Sequence, residues 1–216
     1  MKYKCVIFDC DGVLVDSEII TAKVLISMAG SLGLQLDLDL FAQEFMGRSL
    51  NDIMCHLDGL TNGHLPPNFE SEYRRRTYKA FKTELKPIDG IHSVLENLKV
   101  PFCVASSGPL EKIRNNLTTT GLIDAFQDRM FSCYEIQRWK PNPDIFLYAA
   151  KNMGFKPNEC IVIEDSAVGV QAALAGGFDV FIYSKKGHAD YADMQKTIVF
   201  ENMGELDTLL SRSMPD

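Results

Sequence analysis

The fold turns on one stretch, Cys5-Val6-Ile7-Phe8-Asp9-Cys10-Asp11-Gly12-Val13-Leu14-Val15-Asp16-Ser17. Its first four residues form an uninterrupted apolar run with none of the alternation of a half-buried strand. That pattern predicts a short strand covered on both faces. The run stops at Asp9 and Asp11, two carboxylates two residues apart, followed by Gly12. Residues just past a strand project beyond its carboxyl end, the edge where open α/β sheets bind ligands. Gly12 supplies a tight turn whose amides can face an anion. Like-charged carboxylates this near repel unless a cation neutralises one or one holds a proton. A polar turn leading into a helix cap would use the same residues.

Working outward, similar apolar runs recur at 102–105, 130–132, 160–163 and 180–183. Helix candidates lie between them at 109–120, at 143–153 with Pro143 in the first turn and Gly154 as a stop, and at 166–175 before Gly176-Gly177. Strand alternating with helix predicts an α/β fold with a doubly wound parallel sheet. Residues 17–87 break that rhythm. Ile19, Ile20, Val24, Leu25 and Met28 recur at helical spacing, and 38–45, 50–57 and 69–85 continue the helical texture. The expected organisation is therefore a core of 1–16 and 88–216 carrying an all-helical insert at 17–87.

The chain has 216 residues, and 22 Lys+Arg against 29 Asp+Glu leave a net charge of −7. That balance argues against non-specific nucleic-acid binding, which needs a basic face to displace counterions. No window approaches the uninterrupted apolar length of a membrane span, and the N-terminus has no leader pattern, so a cytoplasmic protein without membrane contact is expected. The cysteines, Cys5, Cys10, Cys55, Cys103, Cys133 and Cys160, are scattered, with no pair at C-x-x-C spacing. Reduced thiols packed as small hydrophobes are the expectation.

Three further loops carry chemistry. Ile161-Val162-Ile163-Glu164-Asp165-Ser166 again ends an apolar run in acids, with Ser166 as a helix N-cap. Hard carboxylate oxygens at two strand ends on one sheet edge suit Mg²⁺, which takes one or two carboxylates plus waters and substrate phosphate. Ala105-Ser106-Ser107-Gly108-Pro109 offers a hydroxyl and amides at a helix N-terminus, a seat for phosphate. Arg138-Trp139-Lys140-Pro141-Asn142-Pro143-Asp144 holds a lysine beside an aromatic and between prolines, where it can neutralise phosphate and crowded carboxylates. Together the four loops fit phosphoryl transfer through an aspartyl-phosphate.

The order Asp-x-Asp-Gly-Val, Ser, Lys-Pro and Glu-Asp-Ser resembles the haloacid dehalogenase (HAD) superfamily along essentially the whole chain. Within it, the chain is similar to the phosphatases that carry a helical cap between the first two motifs on a Rossmann-like core. The resemblance implies Asp9 as nucleophile and Asp11 as general acid and base, with the Asp11 main-chain carbonyl also on Mg²⁺. It implies Asp165 on the metal, and Glu164 there directly or through water. Ser106, Ser107 and Lys140 would hold the phosphoryl group, with help from the amides of Cys10 and Asp11. Tyr134 to Pro143 and Val104 to Pro109 look like the bacterial branch that includes 6-phosphogluconate phosphatase. That implies a small phosphorylated metabolite as substrate, a sugar or sugar-acid phosphate with 6-phosphogluconate first, and a monomer is expected.

Some residues depart from relatives or stay open. The Thr common after the Asp-x-Asp-Gly turn is Val13, and Glu18-Ile19-Ile20-Thr21 lacks the cap histidine of β-phosphoglucomutase, which weighs against a phosphomutase. Lys23 could supply a phosphonatase-type Schiff base but fits a helix face equally well, and Asp11 speaks against a dehalogenase. Arg48, in Phe45-Met46-Gly47-Arg48-Ser49-Leu50, can fork onto a substrate carboxylate or simply begin a helix. Arg74-Arg75-Arg76 fans around a helix and reads as a solvated face. His56, His64, His92 and His188 sit near no motif. A receiver-like phosphoswitch shares the acids and the lysine, but its acceptor lies mid-chain and it has no such insert.

Overall fold

The computed structural model describes residues 2–38, 41, 50–185 and 195–211. Among them, six parallel strands form one sheet in the order β3-β2-β1-β4-β5-β6. The strands are β1 (Cys5–Phe8), β2 (Phe102–Ser106), β3 (Met130–Ser132), β4 (Cys160–Glu164), β5 (Asp179–Tyr183) and β6 (Thr197–Phe200). This is the expected doubly wound α/β sheet, and strands β1 to β5 fall on the five apolar runs. β6 has no counterpart among those runs. It is an edge strand of four residues, the first three only partly buried, and its apolar stretch Ile198-Val199-Phe200 is only three residues long.

Helices of residues 86–211 cover both faces of the sheet, and further helices form the Ser17–Leu85 segment. In chain order they are α1 (Glu18–Gly30), α2 (Leu50–Leu60), α3 (Phe69–Glu84), α4 (Ile91–Asn97), α5 (Leu110–Thr119), α6 (Ile123–Phe126), α7 (Cys133–Ile136), α8 (Asp144–Met153), α9 (Ala167–Ala175) and α10 (Leu206–Ser211). On one face Ile7, Cys103 and Val162, aligned across three strands, pack on Ile145, Phe146 and Ala149 of α8 and Val170 and Ala173 of α9. On the other, Phe8, Phe102 and Phe126 meet edge to face. The six cysteines are free thiols and all but Cys55 are buried. No helix among the described residues is long and apolar enough to cross a membrane.

The chain divides into two compact units, Ser17–Leu85 and a larger one formed by Met1–Asp16 with Lys86–Asp216. Lys86 and Pro87 fall with the larger unit for a local reason. The Asp16 amide donates to the Lys86 carbonyl at 2.9 Å, the Ile88 amide to the Leu14 carbonyl at 3.0 Å, and Val15 bridges Pro87. The smaller unit has its own core, in which Leu25, Met28 and Ala29 of α1 pack with Leu57 of α2 and Phe69 and Tyr73 of α3. Each arginine of Arg74-Arg75-Arg76 has a carboxylate one helical turn back: Arg74 pairs with Glu70, and Arg75 and Arg76 with Glu72. Hydrogen bonds from Arg75 and Arg76 hold the Glu72 carboxyl down to about 2. The helix expected at 38–45 lies mostly outside the described residues, as do Arg48 and His188.

Candidate active site

The parallel register of β1 and β4 pairs Phe8 with Ile163, which places Asp9 beside Glu164 at the carboxyl edge of the sheet. The Asp9 amide donates to the Ile163 carbonyl at 2.9 Å, so the first loop is tied to β4 before it turns. The turn closes through the Leu14 and Val15 amides on the Cys10 carbonyl and the Gly12 amide on the Val15 carbonyl. Gly12 has φ +84°, a conformation side chains resist, and a Cβ there would fall 1.9 Å from Asp165 Oδ2. The Asp165 carboxylate therefore lies directly against the backbone of the Asp9–Gly12 loop.

Lys140 links the two strand ends. Its Nζ donates to Asp9 Oδ1 at 2.5 Å and to Glu164 Oε1 at 2.6 Å, and its side chain is only 4% exposed. The aromatic group that flanks it is not its neighbour Trp139, as adjacency suggested, but Phe146 of α8, whose ring centroid lies 4.7 Å from Nζ. Trp139 is turned away and meets Tyr134 edge to face near the surface. Burial disfavours the ammonium, yet the charges of Asp9 and Glu164 outweigh that and hold Lys140 above the ordinary lysine value. Asp9 is buried as well. Desolvation pushes its carboxyl up to about 7, opposed by Lys140 and reinforced by Glu164 and Asp11.

Glu164 ends β4 at the carboxyl edge of the sheet, the place expected from the sequence. It is fully buried, and both oxygens accept from protein donors: Oε1 from Lys140, and Oε2 from the Asp165 amide (2.9 Å), the Ser166 amide (2.8 Å) and the Ser166 hydroxyl (2.9 Å). Gly169 makes room for it, because a Cβ there would fall 1.7 Å from Glu164 Oε1. Ser166 also caps α9 by accepting from the Gly169 amide at 3.2 Å. These donors fix the Glu164 carboxylate at the strand end, and through Oε1 it anchors the lysine.

The Ser106 loop follows β2, next to β1 in the sheet. Ser106 is buried and its hydroxyl accepts from the Gly108 amide at 3.1 Å, while Ser132 at the end of β3 donates to the Gly108 carbonyl at 2.7 Å. Ser107 is exposed, with the Cys133 thiol 3.9 Å from its hydroxyl. Two residues that sequence reasoning did not single out reach Asp11 from α5: Lys112 Nζ at 2.5 Å from Oδ2 and Asn116 Nδ2 at 3.4 Å from Oδ1. Their spacing of one helical turn, on a helix that starts right after the Ser-Ser-Gly-Pro loop, was the available signal.

The donor chemistry fits Mg²⁺. Asp9, Asp165 and the Asp11 main-chain carbonyl are hard oxygens from two neighbouring loops. Lys140 meets Asp9 and Glu164 and Lys112 meets Asp11, so with Asp165 these loops carry four carboxylates against two ammonium groups, an excess of negative charge that a divalent cation would offset. Among the described residues no three His, Cys, Asp or Glu side chains form a ready ligand cluster.

Comparison with known proteins agrees with this geometry. The family model for haloacid dehalogenase-like hydrolases matches residues 3–177. The chain is 33% identical over 210 residues to 6-phosphogluconate phosphatase of Escherichia coli, a match covering 96% of this chain and 95% of that protein. A haloacid dehalogenase-like protein of Agrobacterium tumefaciens superposes with a TM-score of 0.86 at 28% identity, covering 97% of this chain and 98% of its own. A HAD family hydrolase of Deinococcus radiodurans, solved with bound phosphate and sodium, superposes with a TM-score of 0.80 at 30% identity, covering 97% and 96%. The chain belongs to the haloacid dehalogenase-like hydrolases and is a phosphatase of that family.

Proposed function

We propose that this protein is a Mg²⁺-dependent phosphomonoesterase that acts on a small phosphorylated sugar or sugar acid through an aspartyl-phosphate on Asp9, with 6-phosphogluconate the first substrate to test. The observation that carries the reading is the buried Lys140, held 2.5 Å from Asp9 and 2.6 Å from Glu164. A lysine so placed fixes a nucleophile and offers positive charge to a phosphoryl oxygen at the same point. The 33% identity to a 6-phosphogluconate phosphatase supports the substrate class.

In the first half-reaction an Asp9 oxygen forms a bond to phosphorus while the bond from phosphorus to the ester oxygen breaks, and Asp11 gives a proton to the departing oxygen. In the second, water attacks phosphorus, its proton passes to Asp11, the phosphorus–Asp9 bond breaks and phosphate leaves. Lys140 and the Ser106–Ser107 loop steady the non-bridging oxygens, and Glu164 keeps Lys140 in place. Asp9, Asp165 and the Asp11 carbonyl would hold Mg²⁺, which would supply charge neutralisation for the phosphoryl group. Arg48 is the proposed partner of a substrate carboxylate, because a guanidinium pairs with it through two parallel hydrogen bonds.

The test is release of phosphate by purified protein with Mg²⁺ from a panel of phosphorylated metabolites and from p-nitrophenyl phosphate, run beside Asp9→Asn. Turnover of sugar and sugar-acid phosphates by the native chain and its loss in a folded Asp9→Asn variant are expected. Near-native hydrolysis by Asp9→Asn overturns the covalent mechanism, and activity confined to other phosphate classes overturns the substrate class.

A further inference from the structure

Both carboxylate oxygens of Asp11 are met by a single helix. Lys112 Nζ lies 2.5 Å from Oδ2 and Asn116 Nδ2 lies 3.4 Å from Oδ1, across sequence separations of 101 and 105 residues. We propose that Lys112, backed by Asn116, is the positioning residue that holds the Asp11 carboxylate beside the phosphate-binding loop, where it can exchange a proton with the ester oxygen. The proposal rests on the mechanism above and adds to it a residue that acts through Asp11.

Three features favour positioning over an incidental surface ion pair. Lys112 and Asn116 are one turn apart on α5, so one rigid face of the helix sets both contacts. Asn116 is 1% exposed, and a buried amide is retained at such a place only where its donors are satisfied. The stem of Lys112 also follows the Ser106 loop. A Cβ on Gly108 would sit 3.2 Å from Lys112 Cδ, 3.6 Å from Ser106 Oγ and 3.9 Å from Lys112 Nζ. The ammonium thus lies within reach of both Asp11 on the first loop and the Gly108 turn of the Ser106 loop. The side chains of Lys112 and Asp11 are 20% and 28% exposed, so solvent screens the attraction and the gain is mainly in geometry.

Leaving-group dependence tests this. Proton transfer matters for a sugar alkoxide and hardly at all for p-nitrophenolate, which departs unaided, and kcat/KM reports the step in which that oxygen leaves. Lys112→Met is expected to lower kcat/KM for 6-phosphogluconate by about tenfold or more, while kcat/KM for p-nitrophenyl phosphate changes less than about threefold. Lys112→Arg is expected to recover most of the loss, and Asn116→Ala to show the same pattern more weakly. An equal fall for both substrates would mean a purely structural part or direct phosphate contact and overturns the proposal, as does no fall for either. If Lys112→Met does not fold, Asn116→Ala and Lys112→Arg decide by the same ratio. Asp11→Asn separates the two readings. The same leaving-group pattern there upholds the mechanism whatever Lys112 does, and its absence shows that the proton role of Asp11 itself has failed.

Discussion

Lys140 and Glu164 form a buried ion pair at 2.6 Å, with their side chains 4% and 0% exposed. Lys140 keeps Asp9 as a partner if Glu164 is removed, but the Asp165 and Ser166 amides and the Ser166 hydroxyl then lose their acceptor inside the protein, which costs about 1–3 kcal/mol. Glu164→Ala is therefore expected to lower stability by roughly that amount, measured by urea unfolding, and to displace Lys140 enough to depress turnover.

Glu164 and Asp165 are adjacent acids with different surroundings, and that difference can be read out with metal. Because protein donors meet both Glu164 oxygens, Glu164→Gln is expected to leave the half-saturating Mg²⁺ concentration within about threefold of native. Asp165→Asn is expected to raise it by about tenfold or more, in keeping with the loss of one metal-binding carboxylate. A Mg²⁺ titration of activity on each folded variant checks the contrast. Equal shifts would put Glu164 back on the metal.

Gly12 offers a backbone test of the same site. Its φ is +84°, and an added Cβ would come within 1.9 Å of Asp165 Oδ2, which leaves no place for a methyl group. Gly12→Ala is expected to cost about 1 kcal/mol or more in thermal or chemical unfolding and to raise the half-saturating Mg²⁺ concentration by pushing Asp165 away. Native stability with native metal response would show that the loop can relax.

Metal removal should be reversible. Excess chelator is expected to abolish phosphate release, and added Mg²⁺ to restore it, with the fold retained throughout as judged by circular dichroism. The buried core does not depend on the ion, since Lys140 already neutralises part of the carboxylate cluster. Full turnover in chelator would remove the metal from the mechanism.

Arg48→Ala is expected to raise KM for 6-phosphogluconate by about tenfold while changing KM for an uncharged sugar phosphate little, the signature of a lost carboxylate contact. Steady-state kinetics on the two substrates decide it, and equal effects would assign Arg48 no part in recognition.

Continuous apolar runs made β1 and β4 readable to within a residue, because a strand buried on both faces is mostly apolar along its length. β6 escaped although Ile198-Val199-Phe200 is apolar, because so short an apolar run does not by itself tell a strand from other structure. The loops at the sheet edge were readable as loops that bear acids, a lysine and serines. What each side chain touches was not. Glu164 and Lys140 are 24 residues apart, and composition alone does not say whether a carboxylate faces a lysine or a cation. Trp139 was the obvious aromatic for Lys140, yet Phe146 supplies it, since neighbours on an irregular loop need not share a side. Lys112 reads as an ordinary exposed helical lysine until the fold brings Asp11 to it.

The hydrogen bond from the Asp16 amide to the Lys86 carbonyl has an evolutionary consequence. It brings the two ends of Ser17–Leu85 together on the larger unit, so whatever is spliced between them meets a junction that is already closed. The entropy of closing a loop grows only logarithmically with its length, about 0.6 kcal/mol per doubling. Inserts of quite different size can therefore be exchanged at this neck with little penalty to the sheet. The reacting groups at the strand ends can persist unchanged while selection rewrites what the inserted segment recognises.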